Sequence, residues 1–305
     1  MAVKTEKGRL LAPQLAARRA PLRALLAAAR PLQWTKNLLV FAGVIFAAEL
    51  DDPRRLAEAV LIFVAFSLAS SAAYLLNDVR DAADDREHPV KRLRPIASGE
   101  VSPRLATGAA GLLVLAALGI AAPAGLEAVG LVAAFVASQL AYTLWLKHVV
   151  LVDALTISWL FVLRAAAGAV GVDVRLSPWL VLCTGLLALF LALGKRRAEL
   201  VLVSSDLAPG RPVLSGYSFA LVDQLVAIVA AATISSYSIY TFTATDSAAM
   251  MLTIPFVVFG LFRYLYLMHQ RALGEEPDRI ALADPPIIAT VVLWVATATI
   301  ILILV

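Results

Sequence analysis

Nine apolar runs, each long enough to cross a bilayer, leave this chain few ways to fold. About 20 apolar residues span the roughly 30 Å hydrocarbon core at 1.5 Å per residue of helix. Inside that core every backbone N–H and C=O must be satisfied by protein, so only helices and closed barrels persist there. Runs of this length exceed a barrel strand and predict helices. They lie near 34–50, 56–77, 104–122, 125–146, 150–171, 178–197, 219–242, 249–269 and 285–305. Gly and Pro interrupt several of them, as membrane helices tolerate. Of the 305 residues 61% are hydrophobic, against about 45–50% in soluble proteins, and the mean hydropathy is +0.85. The expected class is all-α: a polytopic membrane protein whose nine transmembrane helices occupy residues 31–305, after a basic segment at 1–30. Residues 14–30 have the composition of a basic amphipathic helix lying on an anionic leaflet. The start of the chain lacks the charged-then-apolar layout of a cleaved signal peptide.

Charge sets the expected orientation. With the N-terminus cytoplasmic, 22 of the 26 Lys and Arg fall on the cytoplasmic side. The opposite loops hold only Arg54, Arg55 and Arg175, and Arg164 sits within a span. Such a bias is the signature of the positive-inside rule, and it implies the cell membrane as location. It also explains the net charge of +4 without nucleic acid as a partner. The two long connections, 78–103 and 198–218, face the cytoplasm, and long loops on one face commonly carry function. The lone Cys183 lies in an apolar run and excludes a disulfide framework. His88, His148 and His269 are far apart, with no zinc-type spacing.

The second run ends in Asn77-Asp78-Val79-Arg80-Asp81-Ala82-Ala83-Asp84-Asp85, five acidic or amide ligand groups at a membrane edge. At about 100° per residue, Asp78, Asp81 and Asp85 fall within about 60° of one another. A helix cap needs one acid, whereas three in register repel unless a cation sits among them. Hard oxygen donors of this kind suit Mg²⁺, which typically takes one or two carboxylates plus substrate phosphates. Asn77, Asp78, Asp81 and Asp85 are therefore the expected metal set, and the three aspartates the expected catalytic centre.

Basic groups surround that motif. Lys91-Arg92-Leu93-Arg94-Pro95-Ile96-Ala97-Ser98-Gly99 can fold back over the acidic helix end, where Arg94 would meet diphosphate oxygens. Gly194-Lys195-Arg196-Arg197-Ala198-Glu199 closes the sixth span, with Lys195 and Glu199 on one face. Lys195, Arg196 and Glu199, together with Lys147 after the fourth span, are expected at an anionic substrate. Each of these basic groups also serves the positive-inside rule. Arg164 lies about 13 residues into the fifth span, where an unpaired charge is costly, so it is expected either in a buried pair, with Asp153 or an acid elsewhere, or at the substrate. Gln33, Lys36 and Asn37 are polar at the mouth of the first span, and Tyr74 and Tyr142 can line the same mouth. Trp34 and Trp145 read as interface anchors.

The pattern N-D-x-x-D-x-x-x-D over Asn77–Asp85, followed by Arg94-Pro95-Ile96-Ala97-Ser98-Gly99, resembles the first signature of the UbiA superfamily of intramembrane prenyltransferases. The run from Asp153 through Arg164 to Gly168 is similar to that family's fifth helix. The resemblance implies a nine-helix bundle, a cytoplasmic N-terminus, and a first motif that binds Mg²⁺ and the donor's diphosphate in a cavity open to the cytoplasmic face and laterally to the lipid. Ordinary members carry a second Asp-rich motif after the sixth helix. Here Lys195-Arg196-Arg197-Ala198-Glu199 stands in its place, with Glu199 as its one acid.

One branch of the superfamily is similar at that point, and at Arg30-Pro31-Leu32-Gln33-Trp34-Thr35-Lys36-Asn37. It moves 5-phosphoribose from phosphoribosyl pyrophosphate to decaprenyl (polyprenyl) phosphate, for arabinan (arabinogalactan) cell-wall precursors. The resemblance implies Mg²⁺ as cofactor, these two substrates as partners, and inversion at C1 of the ribose. A polyprenyl diphosphate donor with an aromatic acceptor is the alternative that the first motif supports. A membrane transporter is the alternative of another class, compatible with Arg164 inside a span. A homo-oligomer is compatible with every one of these readings.

Overall fold

The computed structural model describes residues 21–46, 52–88, 90–205, 212–243, 248–270 and 283–304. Every regular element among them is helical. A short helix α1 (Pro21–Ala29) leads into a 3₁₀ stretch, Pro31–Phe41, that continues as α2 (Ala42–Phe46). There follow α3 (Pro53–Arg80), α4 (Ala82–Glu87), α5 (Pro103–Ala121), α6 (Leu126–Leu144) and α7 (Val152–Gly171). The chain ends with α8 (Pro178–Ser204), α9 (Phe219–Thr243), α10 (Ile254–Gln270) and α11 (Pro285–Leu304).

Helix starts follow local chemistry. Asp52 caps α3 by accepting from the Arg54 N–H at 2.8 Å, and Ser102 caps α5 by accepting from Leu105 N–H at 3.3 Å. Pro53, Pro103 and Pro178 occupy first positions, where a missing N–H removes nothing the helix uses. Among the described residues, seven helices are long and apolar enough to span a membrane: α3 and α5 to α10. The expected last span appears as α11, with a shorter apolar stretch, Pro285–Ile301.

The expected first span, 34–50, differs from a plain α-helix. The 11-residue 3₁₀ stretch Pro31–Phe41 runs into its start and is followed by five residues of α-helix, and residues 47–51 lie outside the described set. A 3₁₀ helix repeats every three residues. Trp34, Asn37 and Val40 therefore share one edge that faces α3 and α7, and Gly43 at the start of α2 lies against α7 as well. Trp34 donates to Ser71 at 3.0 Å and Asn37 to Ser67 at 3.1 Å. Val40 lies against Gly168, where an added Cβ would stand 2.0 Å from the Val40 carbonyl oxygen. At Gly43 it would stand 2.7 Å from Ala169 Cα. Backbone thus packs on backbone, which only glycine at these two positions permits. Trp34, expected as an interface anchor, is half-buried and takes part in this seam through its bond to Ser71.

Two apolar cores flank the centre. One joins α3, α5, α6 and α7 around Phe66, Val132, Phe135 and Leu163. The other joins α8, α9 and α10 around Phe190, Val226 and Leu267. A third cluster ties Ala24 and Ala28 of α1 to Ala72 and Leu75 of α3. Large apolar side chains such as Leu112, Leu115, Ile228 and Phe262 point outward, as in a protein whose surroundings are lipid. Sequence-adjacent helices pack as neighbours. The C-terminal ends of α3, α6 and α8 and the starts of α5, α7 and α9 consequently meet at one end of the bundle.

Candidate active site

That end carries the acidic motif. The α3 helix closes at Arg80, yet Asp81 N–H donates to Asn77 O at 2.9 Å and Asp85 N–H to Asp81 O at 2.8 Å. Helical winding therefore crosses the break into α4 and keeps the expected register of the three aspartates. Asp78 and Asp85 are buried and Asp81 is half-buried.

Each carboxylate meets a cation from a different part of the chain. Arg30 Nη2 donates to both Asp78 oxygens, at 2.6 and 2.9 Å. Arg30 holds a left-handed conformation (φ 53°) between α1 and the 3₁₀ stretch, and its guanidinium lies 4.9 Å from the Tyr74 ring centroid. Arg94 Nη1 donates to Asp78 at 3.2 Å and to Asp85 at 2.7 Å. Lys147 Nζ donates to Asp81 at 2.6 Å, and Asn77 Nδ2 donates to the other Asp81 oxygen at 3.0 Å. The loop that presents Arg94 folds back as its sequence predicts. Ser98 N–H donates to Arg94 O at 2.8 Å, Gly99 turns with φ 82°, Ile96 is buried, and Arg86 Nε donates to Ala97 O at 3.2 Å. Charge-assisted bonds of this kind are short and directional.

A second polar group lies beside the first. Asp153, at the start of α7, is fully buried and accepts from Arg196 Nε at 2.6 Å and from Tyr217 Oη at 2.6 Å. Arg196 also bonds Glu199 and donates through Nη2 to Tyr142 Oη at 3.4 Å. Burial, then the bond to the Asp153 carboxylate, push the Tyr217 phenol above its ordinary range, so it remains a donor. A third group lies deeper. Arg164 Nε donates to Asn37 Oδ1 at 2.7 Å and Nη1 to Leu160 O at 2.8 Å, with Phe135 and Phe161 rings at 4.6 and 5.0 Å.

The structure thus brings Tyr74, Asn77, Asp78, Asp81, Asp85, Arg94 and Lys147 into one cluster, and Tyr142, Arg196 and Glu199 into an adjoining one. Two expected substrate contacts are enclosed, however: Arg196 is 1% exposed and Arg164 4%. Their guanidinium groups hold helices together, because a charge at such depth must be compensated by protein. Asp153, an expected partner of Arg164, binds Arg196 and Tyr217 instead. Lys195 is half-buried at the same end of α8, after Gly194, where an added Cβ would stand 2.9 Å from Tyr264 Oη. Gln33 and Lys36 are half-buried on the 3₁₀ stretch, flanking Trp34. Sequence reasoning missed Arg30, Asp153 and Tyr217 as parts of the site. Arg30 carried a signal, since it precedes Pro31 at the foot of the first span; Tyr217, in a connection, carried none.

Among the described residues, no three His, Cys, Asp or Glu side chains converge as a ready-made metal cage. The donor set nonetheless fits a hard divalent cation. Asp78 and Asp85 place oxygens within 3.2 and 2.7 Å of one guanidinium nitrogen, so a single positive charge already bridges them. Carboxylate and amide oxygens are the ligands Mg²⁺ prefers, and it usually keeps waters between itself and them.

Comparison with known proteins agrees with this architecture. Residues 37–283 match the UbiA prenyltransferase family. The decaprenyl-phosphate phosphoribosyltransferase of Mycolicibacterium smegmatis is 36% identical over 289 residues, covering 90% of each chain. The enzyme of that name from Mycobacterium tuberculosis is 34% identical over 275 residues, 88% of this chain and 91% of its own. A UbiA homolog from Archaeoglobus fulgidus, bound to GPP and Mg²⁺, superimposes with a TM-score of 0.70 at 18% identity, over 92% of this chain and 100% of that one. With most of its length matched, this chain belongs to the UbiA prenyltransferase family.

Proposed function

We propose that the protein transfers 5-phosphoribose from phosphoribosyl pyrophosphate to a polyprenyl phosphate, decaprenyl phosphate in the first instance, and releases pyrophosphate. One observation carries the reading: three carboxylates at one end of the bundle stand paired with Arg30, Arg94 and Lys147, cations that substrate phosphates can draw away. The basic end of α8 supports it, since Lys195-Arg196-Arg197 stands where a second acidic motif would suit a second metal. So does the identity of 34–36% to phosphoribosyltransferases across about nine-tenths of the chain.

In this reading Asn77, Asp78, Asp81 and Asp85 hold Mg²⁺, which when bound offsets the charge of the departing pyrophosphate. Arg94, Arg30 and Lys147 turn from the carboxylates to phosphate oxygens, and Lys195 and Lys36 hold the second anion. Two anions held close together gain much of their rate from proximity. A lipid phosphate oxygen forms the new bond to C1 as the C1–oxygen bond to pyrophosphate breaks. The phosphate monoester is already ionised, so no general base is needed and no proton moves. Attack opposite the leaving group inverts C1. Tyr74 and Tyr142 line the mouth, and the whole site opens to the cytoplasm.

The test is transfer of label. Purified protein in detergent receives Mg²⁺, decaprenyl phosphate and ribose-labelled phosphoribosyl pyrophosphate. Label should enter the lipid phase only when both Mg²⁺ and lipid are present. Folded protein that fails here, but transfers a prenyl group from geranyl diphosphate to an aromatic acceptor, would overturn the reading.

A further inference from the structure

Lys147, the partner of Asp81, stands on a short connection between α6 and α7 that no long element stiffens. The structure grips that connection at both ends, through one buried carboxylate. Tyr142, at the α6 end, is 3.4 Å from Arg196 Nη2, and Arg196 donates to one Asp153 oxygen. Leu151, at the α7 end, donates its N–H to Tyr217 Oη at 2.8 Å, and Tyr217 donates to the other Asp153 oxygen. Tyr217 follows the 3₁₀ turn Pro212–Gly216, which packs on the Lys147 connection. At Gly216 an added Cβ would stand 2.4 Å from Val150 Cγ2, so the two connections interlock there.

Leu151 is strained. It adopts φ 68°, ψ −41°, which an L side chain with a Cβ rarely does. The part-buried hydrogen bond from its N–H to Tyr217 Oη helps such a conformation persist. The acceptor is a phenol oxygen whose own proton, kept in place by burial, goes to Asp153.

We propose that Tyr217 is a positioning residue: it locks Leu151 in its positive-φ turn and so sets Lys147 opposite Asp81. It touches neither reacting atom, and it works through the loop. The kinetic consequence rests on the phosphoribosyl transfer proposed above, whereas the loop geometry does not.

The experiment therefore begins without substrate. Full-length protein in detergent is treated with an amine-acylating reagent, and labelling at each lysine is followed by mass spectrometry. In Tyr217→Phe, which removes both the bond to the Leu151 N–H and the bond to Asp153, Lys147 should label about five- to tenfold faster, a population change of the size expected for the net loss of hydrogen bonding. Lys36 and Lys195 should label at their original rates. Adding Leu151→Gly removes the strain, since glycine accepts positive φ. The double variant should bring Lys147 labelling back to within about threefold of Leu151→Gly alone. An unchanged Lys147 rate in Tyr217→Phe would overturn the proposal. So would a rise shared by all three lysines, which marks general loosening, or a rise that Leu151→Gly fails to reverse. In the transfer assay Tyr217→Phe should lower kcat by a similar factor and leave KM for decaprenyl phosphate within about twofold. Correct lysine protection in protein that transfers no phosphoribose sinks the proposed substrates and leaves the positioning role intact.

Discussion

Asp81 differs from its two neighbours in one respect that matters chemically. Asp78 and Asp85 are buried and share Arg94, whereas Asp81 is half-buried and answers to Lys147, 66 residues away. A partly exposed pair of this kind contributes about 1 kcal/mol or less to stability. Asp81→Asn should accordingly leave the melting temperature nearly unchanged while lowering transfer at least ~100-fold, the loss expected when a group that steadies transition-state charge is removed. Activity within threefold of the parent would remove Asp81 from the metal set. Arg196 should behave in the opposite way. Arg196→Met strands two acids, Asp153 at 0% exposure among them, and breaking a buried pair costs about 3–5 kcal/mol. A large drop in thermal stability should appear there, and a normal melt would show that the network carries no weight. Lys195→Ala should instead raise KM for the donor or the lipid phosphate with the fold intact. The three aspartates were legible in the sequence because helical periodicity alone puts them on one face. Arg94, on a loop expected to fold back over them, was legible too, but the pairings with Arg30 and Lys147 were not, since those two reach the aspartates only through packing across 48 and 66 residues.

The same division holds for elements. Apolar length predicted α3 and α5 to α10, because nothing but a helix satisfies that much backbone in lipid. Winding was not legible: 34–50 reads as an ordinary span, and the 3₁₀ form of Pro31–Phe41 becomes intelligible only once the seam is seen. Trp34, Asn37 and Val40 each meet α3 or α7 at a spacing of three, and an α-helix would rotate one of them away. Gly168 makes the seam close enough for this. Gly168→Ala would push a methyl into the Val40 carbonyl, a backbone group that cannot rotate aside. Overpacking of this kind costs typically about 1–3 kcal/mol, and the seam must open to relieve it. Because Asn37 holds Arg164, and Gln33 and Lys36 ride on the same stretch, the variant should lose both stability and substrate affinity. A thermal melt and a KM measurement would check this, and an unperturbed melt would mean the seam is looser than drawn.

At the scale of the whole molecule, charge decides which way the bundle faces. The connection 78–104 alone carries six Lys and Arg, and it is the one that folds over the aspartates. At the other end the cations are few and locally answered: Arg54 pairs with Glu58 at 3.1 Å and Arg55 with Asp52 at 3.7 Å. Acids do not cancel the positive-inside signal of nearby Lys and Arg, but the numbers of basic residues at the two ends are already far apart. The site should therefore open to the cytoplasm, where a soluble, highly charged donor can reach it without crossing lipid. Two exposed positions report on this. Ser98 lies on the loop over the aspartates, and Arg175 lies on the connection between α7 and α8 at the opposite end. In a Cys183→Ser background, Arg175→Cys should react with a membrane-impermeant maleimide in intact cells. Ser98→Cys should react only after the membrane is opened. Labelling in the reverse order would turn the bundle over and place the aspartates on the outer face, and a cytoplasmic phosphoribosyl donor could not then serve them.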